Sequence, residues 1–219
     1  MKSVSIFKSR ILFLFVSLMA SQMLSYGQSA RDVFNNSETQ ILFLGVDFTK
    51  AKFIDFLTEN QFDLRDKVFP GVNETIITEM KKFTISNSFH KSFVDHDMGP
   101  VSNRNSKINA EDIKSTNTAD FHKFTPADID KLISGFDFGE KKGVGLLFIC
   151  EGASKSLKAA AFWVTLVDMR SHRILMTERV EGKLSGMGMK GAVLGAFKNV
   201  LEEIDKQKYS EWKTKYNNS

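Results

Sequence analysis

The chain has one cysteine, three prolines, two tryptophans and no large excess of either charge. A lone cysteine excludes an internal disulfide framework and any all-cysteine zinc cage. Few prolines, with 42% hydrophobic and 26% charged residues, exclude collagen-like and wholly disordered classes. No uninterrupted apolar run reaches the ~20 residues that a membrane helix needs. What is present is a chain of 219 residues, long enough for one mid-sized domain with a sizeable core. The formal charge of +4 and pI near 9.0 suggest at first an anionic partner such as nucleic acid or a membrane surface.

The first residues change that reading. Lys2, Lys8 and Arg10 precede an apolar run over residues 11–20, and Ser21 and Gln22 interrupt it. Small residues follow at Ser25 and Gly27. A basic segment, a short apolar run and a small-residue cleavage site spell a secretory signal peptide over residues 1–27. Cleavage is expected after Gly27, with Ala30 as the alternative. It removes three basic residues and no acidic one, so the mature chain is nearly neutral and a nucleic-acid partner is not expected. No cysteine sits just after the apolar run, so the product is expected to be exported to the periplasm or beyond, without a lipid anchor.

Residues 28–40 read as an extended lead-in, residues 41–208 as one domain and residues 209–219 as a polar tail. The apolar run 41–48 has strand length. In residues 50–70 Phe53, Phe56 and Leu57 have helical spacing, with Pro70 as a stop. Val72, Ile76, Met80 and Phe83 predict an amphipathic helix over 71–83, and 88–97 is a candidate strand. Residues 98–124 are rich in Asn, Ser, Thr and Lys and predict a long, partly ordered polar connection. Thr125-Pro126-Ala127-Asp128 is a helix start. Strands follow at 143–150, 159–169 and 173–183, then a helix over 190–206 with Leu194, Phe197, Leu201 and Ile204 as its stripe. The expected class is α+β: helices packed on a mainly antiparallel or mixed sheet in a single domain.

Gly186-Met187-Gly188-Met189-Lys190-Gly191 matches the dinucleotide fingerprint, and Asp205 falls near the place of its ribose-binding acid. The context fails: the preceding strand is a half-exposed hairpin arm, and no second strand follows the helix. Gly186, Gly188 and Gly191 are therefore read as packing glycines, and no cofactor is expected. Asp95-His96-Asp97 with His90 offers metal-capable side chains, but strand alternation turns His96 away from the two acids, and no metal is expected. His122 and His172 have no evident partner. Cys150 lies in an apolar run with nothing to activate a thiol. Phe121, Phe124, Phe136 and Phe138 cluster around one helix, with core packing as the expectation and an aromatic partner patch as the minor alternative.

The phrase Phe162-Trp-Val-Thr-Leu-Val-Asp168-Met-Arg-Ser-His-Arg-Ile-Leu175 lies in a strand, hairpin, glycine turn and helix arrangement over 143–204. This arrangement resembles the small α/β envelope domains of the curli-transport lipoprotein, of the outer-membrane activators of peptidoglycan synthases, and of the TolB amino-terminal domain. The chain departs from them at Ser171-His172, where the turn has no glycine, and in lacking the lipoprotein cysteine. The resemblance implies an exported scaffold or partner-binding domain and transfers no site residues. The expected function is non-enzymatic binding of an envelope protein or cell-wall partner. A secreted hydrolase using Asp47, Asp95, His96 or Asp97 as acid/base groups is the alternative.

Overall fold

A computed structural model of the chain describes residues 28–218; the expected signal segment lies outside the described residues. Helix α1 (Ala30–Asn35) opens the order, followed by β1 (Ile41–Asp47), β2 (Lys52–Ile54) and α2 over residues 61–78. Next come α3 (Ile85–Ser88), β3 (Val94–His96), α4 (Gly99–Asn105), β4 (Lys114–Ser115) and α5 (Pro126–Ser134). Strands β5 (Val144–Ser154), β6 (Ala159–Asp168) and β7 (Arg173–Lys183) lead to α6 over residues 188–217.

Strand β5 is the axis of a seven-stranded sheet. On one side it pairs antiparallel with β6, which pairs with β7. On the other it pairs parallel with β1 over residues 144–149 and with β2 over 152–154. β3 adds parallel to β1, and β4 to β2. The main sheet β3-β1-β5-β2-β4 is thus parallel, which corrects the expected mainly antiparallel or mixed sheet; antiparallel pairing is confined to the β5–β6–β7 meander. The physical reason lies in β1 and β5, which are apolar on both faces and buried almost throughout, as strands covered by helices on two sides must be.

One core face carries Phe43, Phe148, Phe162 and Val164 against Val72 and Ile76 of α2 and Phe197 and Val200 of α6. The other carries Leu44, Leu147, Ile149 and Trp163 against Ile129 and Ile133 of α5. The α5 start follows its sequence: the Thr125 hydroxyl accepts from the Asp128 N–H at 3.4 Å, and Asp128 accepts the Thr125 N–H at 3.0 Å.

Strands β1 and β2 are separated by the turn 48–51, and β3 is too short to cover the far end of β1. Two buried asparagines complete that edge. The Asn73 amide accepts the Val46 N–H at 2.7 Å and donates to the Val46 carbonyl at 2.9 Å. Asn105 accepts the Phe48 N–H at 2.8 Å and donates to the same carbonyl at 3.0 Å. Each side chain stands in for a missing strand. Asn105→Ala orphans the buried Phe48 amide and is expected to cost about 1–3 kcal/mol in urea unfolding; a loss indistinguishable from zero contradicts the edge-completing role.

Other expectations change as well. Residues 28–40 contain α1 rather than only an extended lead-in. Residues 98–124 are a packed segment: α4, two 3-10 turns and β4 bury Val101, Ile108, Ile113 and Phe121. Their many polar side chains serve as caps, with Asn109 and Asn117 accepting the N–H groups of Glu111 and Ala119. The ion pair of Glu151 and Arg179 fastens this segment down. Glu151 is fully buried and meets Arg179 at 2.5 Å, while its other oxygen accepts the Phe124 N–H at 2.6 Å and Arg179 donates to the Phe121 carbonyl at 2.7 Å.

Both long helices contain a π-turn, Leu64–Val68 in α2 and Ile204–Lys208 in α6. In α2 this turn lets the helix run through Pro70, whose missing N–H and bulky ring an α-helix accommodates poorly. In α6 it carries the helix through the expected tail and buries Tyr209 and Trp212.

Lys91 closes the carboxyl end of α1. It is 6% exposed, and its ammonium donates to the carbonyls of Val33 and Asn36. Burial lowers its pKa to about 8. Between that value and the ordinary lysine range the unfolded chain holds a proton that the folded chain releases. This group therefore makes stability rise with pH across that window. Comparing the wild type with Lys91→Met from pH 8 to 10 isolates the slope, which the variant should lose; equal slopes contradict it.

Candidate functional site

The break between β1 and β2 opens a cleft of about 510 Å³. The turn residues Thr49 and Lys50 and the start of β2 at Lys52 form one wall, Arg104 and Lys107 on and after α4 the other, and Lys123 comes in from the segment before α5. Ala51, Ile108 and Ile113 contribute buried apolar surface.

Asp47 ends β1 and is fully buried. One of its oxygens accepts the Thr49 N–H at 2.7 Å, and the other meets Arg104 at 3.2 Å. Arg104 also donates to the Gly135 carbonyl at 3.0 Å and lies 4.2 Å above the Phe136 ring. Asp47 and Arg104 therefore neutralise each other and brace the floor. The four lysines of the cleft have no carboxylate within ion-pair distance among the described residues. Lys52 donates to the backbone carbonyl of Asp112 and Lys123 to that of Lys50. Burial, with the nearby charge of Lys52, lowers the pKa of Lys123. Lys50 and Lys107 are exposed at the rim.

The proposed acid/base set does not share a site. Asp95 and His96 are exposed on β3, opposite Leu42 and Phe43 of β1. Asp97 pairs with Lys141 at 3.0 Å and accepts the Gly99 N–H at 2.8 Å. Asp47 lies four residues beyond Phe43, about 13 Å along the strand at ~3.3 Å per residue. Asp95 lines a different depression with Phe93 and Lys142. Among the described residues no three His, Cys, Asp or Glu side chains converge to hold a metal ion.

The other singled-out residues have structural surroundings. His90 lies 3.2 Å from Asp205 and stacks on Tyr209 at 4.0 Å between ring centres. His122 meets the Phe121 ring edge-on, and His172 that of Phe138. His172 has φ +57°, the left-handed region that favours the glycine absent from this turn. Phe121, Phe136 and Phe138 are buried, and Phe124 packs partly buried against the second core face. Among the described residues the exposed phenylalanines are Phe62 and Phe93.

At the glycine motif the loop folds onto its own helix. A Cβ on Gly186 would come within 2.6 Å of the Gly191 carbonyl oxygen. One on Gly195 would come within 1.9 Å of the Ser185 carbonyl oxygen. Asp205, the supposed ribose acid, faces His90 instead.

Cys150 is 1% exposed, and burial pushes its thiol pKa up. A thiol kept protonated and out of solvent is a poor nucleophile. Native protein is therefore expected to take up a maleimide or disulfide reagent at least a hundredfold more slowly than urea-unfolded protein. Comparable rates contradict this burial.

Reasoning from the sequence did not find the cleft. Its cations come from three separate segments, and whole-chain charge averages them away. The one local signal is that Lys50, Lys52, Arg104, Lys107 and Lys123 all flank short turns.

No protein-family model matches the chain, and no curated protein matches it. Among solved structures it is similar to the hypothetical protein CT253 from Chlamydia trachomatis. That match has 11% identity, 80% coverage of this chain, 98% of the other and a TM-score of 0.36. It is also similar to lipoprotein GNA1162 from Neisseria meningitidis, at 15% identity, 72% and 88% coverage and a TM-score of 0.29. No helix of the described residues is long and apolar enough to cross a membrane. Both likenesses are weak, and they show no specific family.

Proposed function

We propose that this chain is exported and acts in the cell envelope, periplasmic or secreted and without a lipid anchor, as a non-enzymatic domain that binds a protein or cell-wall partner. The observation that carries this reading is the cleft: a ligand-sized concavity whose lysines lack carboxylate partners, set on a rigid parallel sheet. The side chains around it fit holding a ligand better than transforming one. Asp47 is sealed beneath Arg104 with both oxygens engaged, and the acids that line the cleft, Asp112 and Asp137, accept from the Asn109 amide and the Gly139 N–H. A general acid or base must reach the proton it transfers.

Two measurements test the reading. Intact mass of the protein recovered from cell fractions should show an amino terminus at Gln28 in the periplasmic or secreted fraction; an uncleaved cytoplasmic product contradicts export. The tagged protein should then enrich the same partner repeatedly from envelope extract, and the double variant Lys50→Glu/Lys107→Glu should lose it. Repeated failure to enrich anything counts against a binding role.

A further inference from the structure

We infer that the cleft at the break between β1 and β2 is a binding site for a phosphate-bearing ligand. This inference rests on the partner-binding reading and names the chemistry recognised.

Position comes first. The cleft lies beyond the carboxyl ends of β1 and β3, where open parallel sheets take their ligands. Thr49 and Lys50 follow β1, and α4 follows β3.

Charge comes second. Five basic side chains line the cleft together with the acids Asp112 and Asp137. Asp47 neutralises Arg104 from below, which leaves four lysine charges against the two carboxylates. The two acids are turned into their own loops. The Asp112 carboxylate takes the Asn109 amide at 3.2 Å, and that of Asp137 takes the Gly139 N–H at 2.9 Å. Lys52 and Lys123 are half-buried and tethered to the backbone carbonyls of Asp112 and Lys50, and Lys123 feels the charge of Lys52 against those of Asp120 and Glu151. The pKa of Lys123 is lowered by burial first and by the charge of Lys52 second. A bound anion relieves the repulsion between the two lysines.

The type of cation bears on the ligand. The arginine fork pairs bidentately with carboxylate and phosphate alike, whereas lysine is a compact point charge that responds to charge density, so a lysine cluster suits a multiply charged phosphate. The guanidinium here is already committed to Asp47, Gly135 and the Phe136 face, and only lysines remain free. The volume of about 510 Å³ leaves room for more than a bare ion. Lys50 and Lys107, exposed and unpaired, can close over the ligand.

Isothermal titration of the purified protein with sodium tripolyphosphate tests this. The expected result is one saturable site that weakens as salt rises. Affinity should fall at least tenfold in Lys50→Glu/Lys107→Glu and stay unchanged in Lys81→Glu, an exposed lysine outside the cleft. Both cleft substitutions are at exposed residues without partners, and circular dichroism checks that the fold persists. Citrate should bind at least tenfold more weakly than tripolyphosphate. Vesicles of phosphatidylglycerol in phosphatidylcholine separate the sources. Cleft-dependent sedimentation with them assigns a lipid headgroup, and binding of tripolyphosphate with no vesicle binding assigns a soluble phosphate. The inference is overturned if neither probe binds saturably, if the double variant binds as well as the wild type, or if citrate matches tripolyphosphate. Should tripolyphosphate and the vesicles fail to bind while the wild type still enriches its envelope partner and the double variant loses it, the phosphate site falls while the partner-binding reading stands.

Discussion

Replacing Trp212 by alanine is expected to destabilise the protein by about 3–5 kcal/mol, the range for removing a large buried aromatic. The residue lies in the last eight of the chain, in a stretch of Glu, Lys, Thr and Asn that reads as a polar tail. It is nevertheless 1% exposed, with its ring 6.3 Å from that of Phe89 and 6.0 Å from that of Phe34. Its indole N–H donates to Glu178 of β7 at 2.8 Å. The variant loses the ring contacts, leaves a void between α1 and α6, and strands a partly buried carboxylate oxygen. Urea unfolding followed by far-UV circular dichroism gives the loss directly. A change below about 1 kcal/mol would mean that the end of α6 frays in solution and that α1 is not held by it.

Arg179→Met is expected to cost a similar 3–5 kcal/mol, for an electrostatic reason. Glu151 sits in the centre of the sheet with no exposure, and Arg179 is its charge partner. Removing one member of a buried pair leaves an uncompensated charge, which is the expensive case. The same substitution frees the Phe121 carbonyl and the contact of the guanidinium with Glu181. The double variant Glu151→Met/Arg179→Met separates the terms. It removes the stranded charge, so it should recover part of the stability lost by Arg179→Met alone, the remainder being the orphaned Phe124 N–H and Phe121 carbonyl. A double variant no better than the single one would show that the charge was not the main cost. Either variant should also loosen residues 116–125, which amide exchange reports.

The elements that were legible in the sequence are those governed by local rules. The β6–β7 hairpin has its turn and its alternation, α5 has its capping box, and the first part of α6 has a regular stripe. The parallel order of β1 and β5 was not legible. It depends on which distant runs pair, and the one local sign of it, apolar residues on both faces of each strand, also fits a central antiparallel strand. The ordered segment 98–124 was hidden by composition. Its asparagines look like solvated loop residues, yet Asn105 completes a strand edge and Asn109 and Asn117 cap turns.

The end of α6 was hidden by phase. Ile204 and Tyr209 are five residues apart, out of step with an α-helical stripe, and a π-turn with its i to i+5 bond realigns them: the Tyr209 N–H donates to the Ile204 carbonyl. Leu64 and Phe69 repeat that spacing in α2, where the Phe69 N–H donates to the Leu64 carbonyl. Of the candidate site, Asp47 was singled out, though its role is to brace Arg104. The lysines were not, because they converge only after the sheet edge breaks.

The central claim is that the cleft at this break is the working surface. The direct measurement is amide chemical-shift mapping of the isotope-labelled protein on adding envelope extract. Shifts concentrated at residues 49–52, 103–113 and 123 are predicted. Shifts centred on residues 95–97 of the β3 edge, or on the glycine turn 186–191, with the cleft unmoved, would contradict the claim.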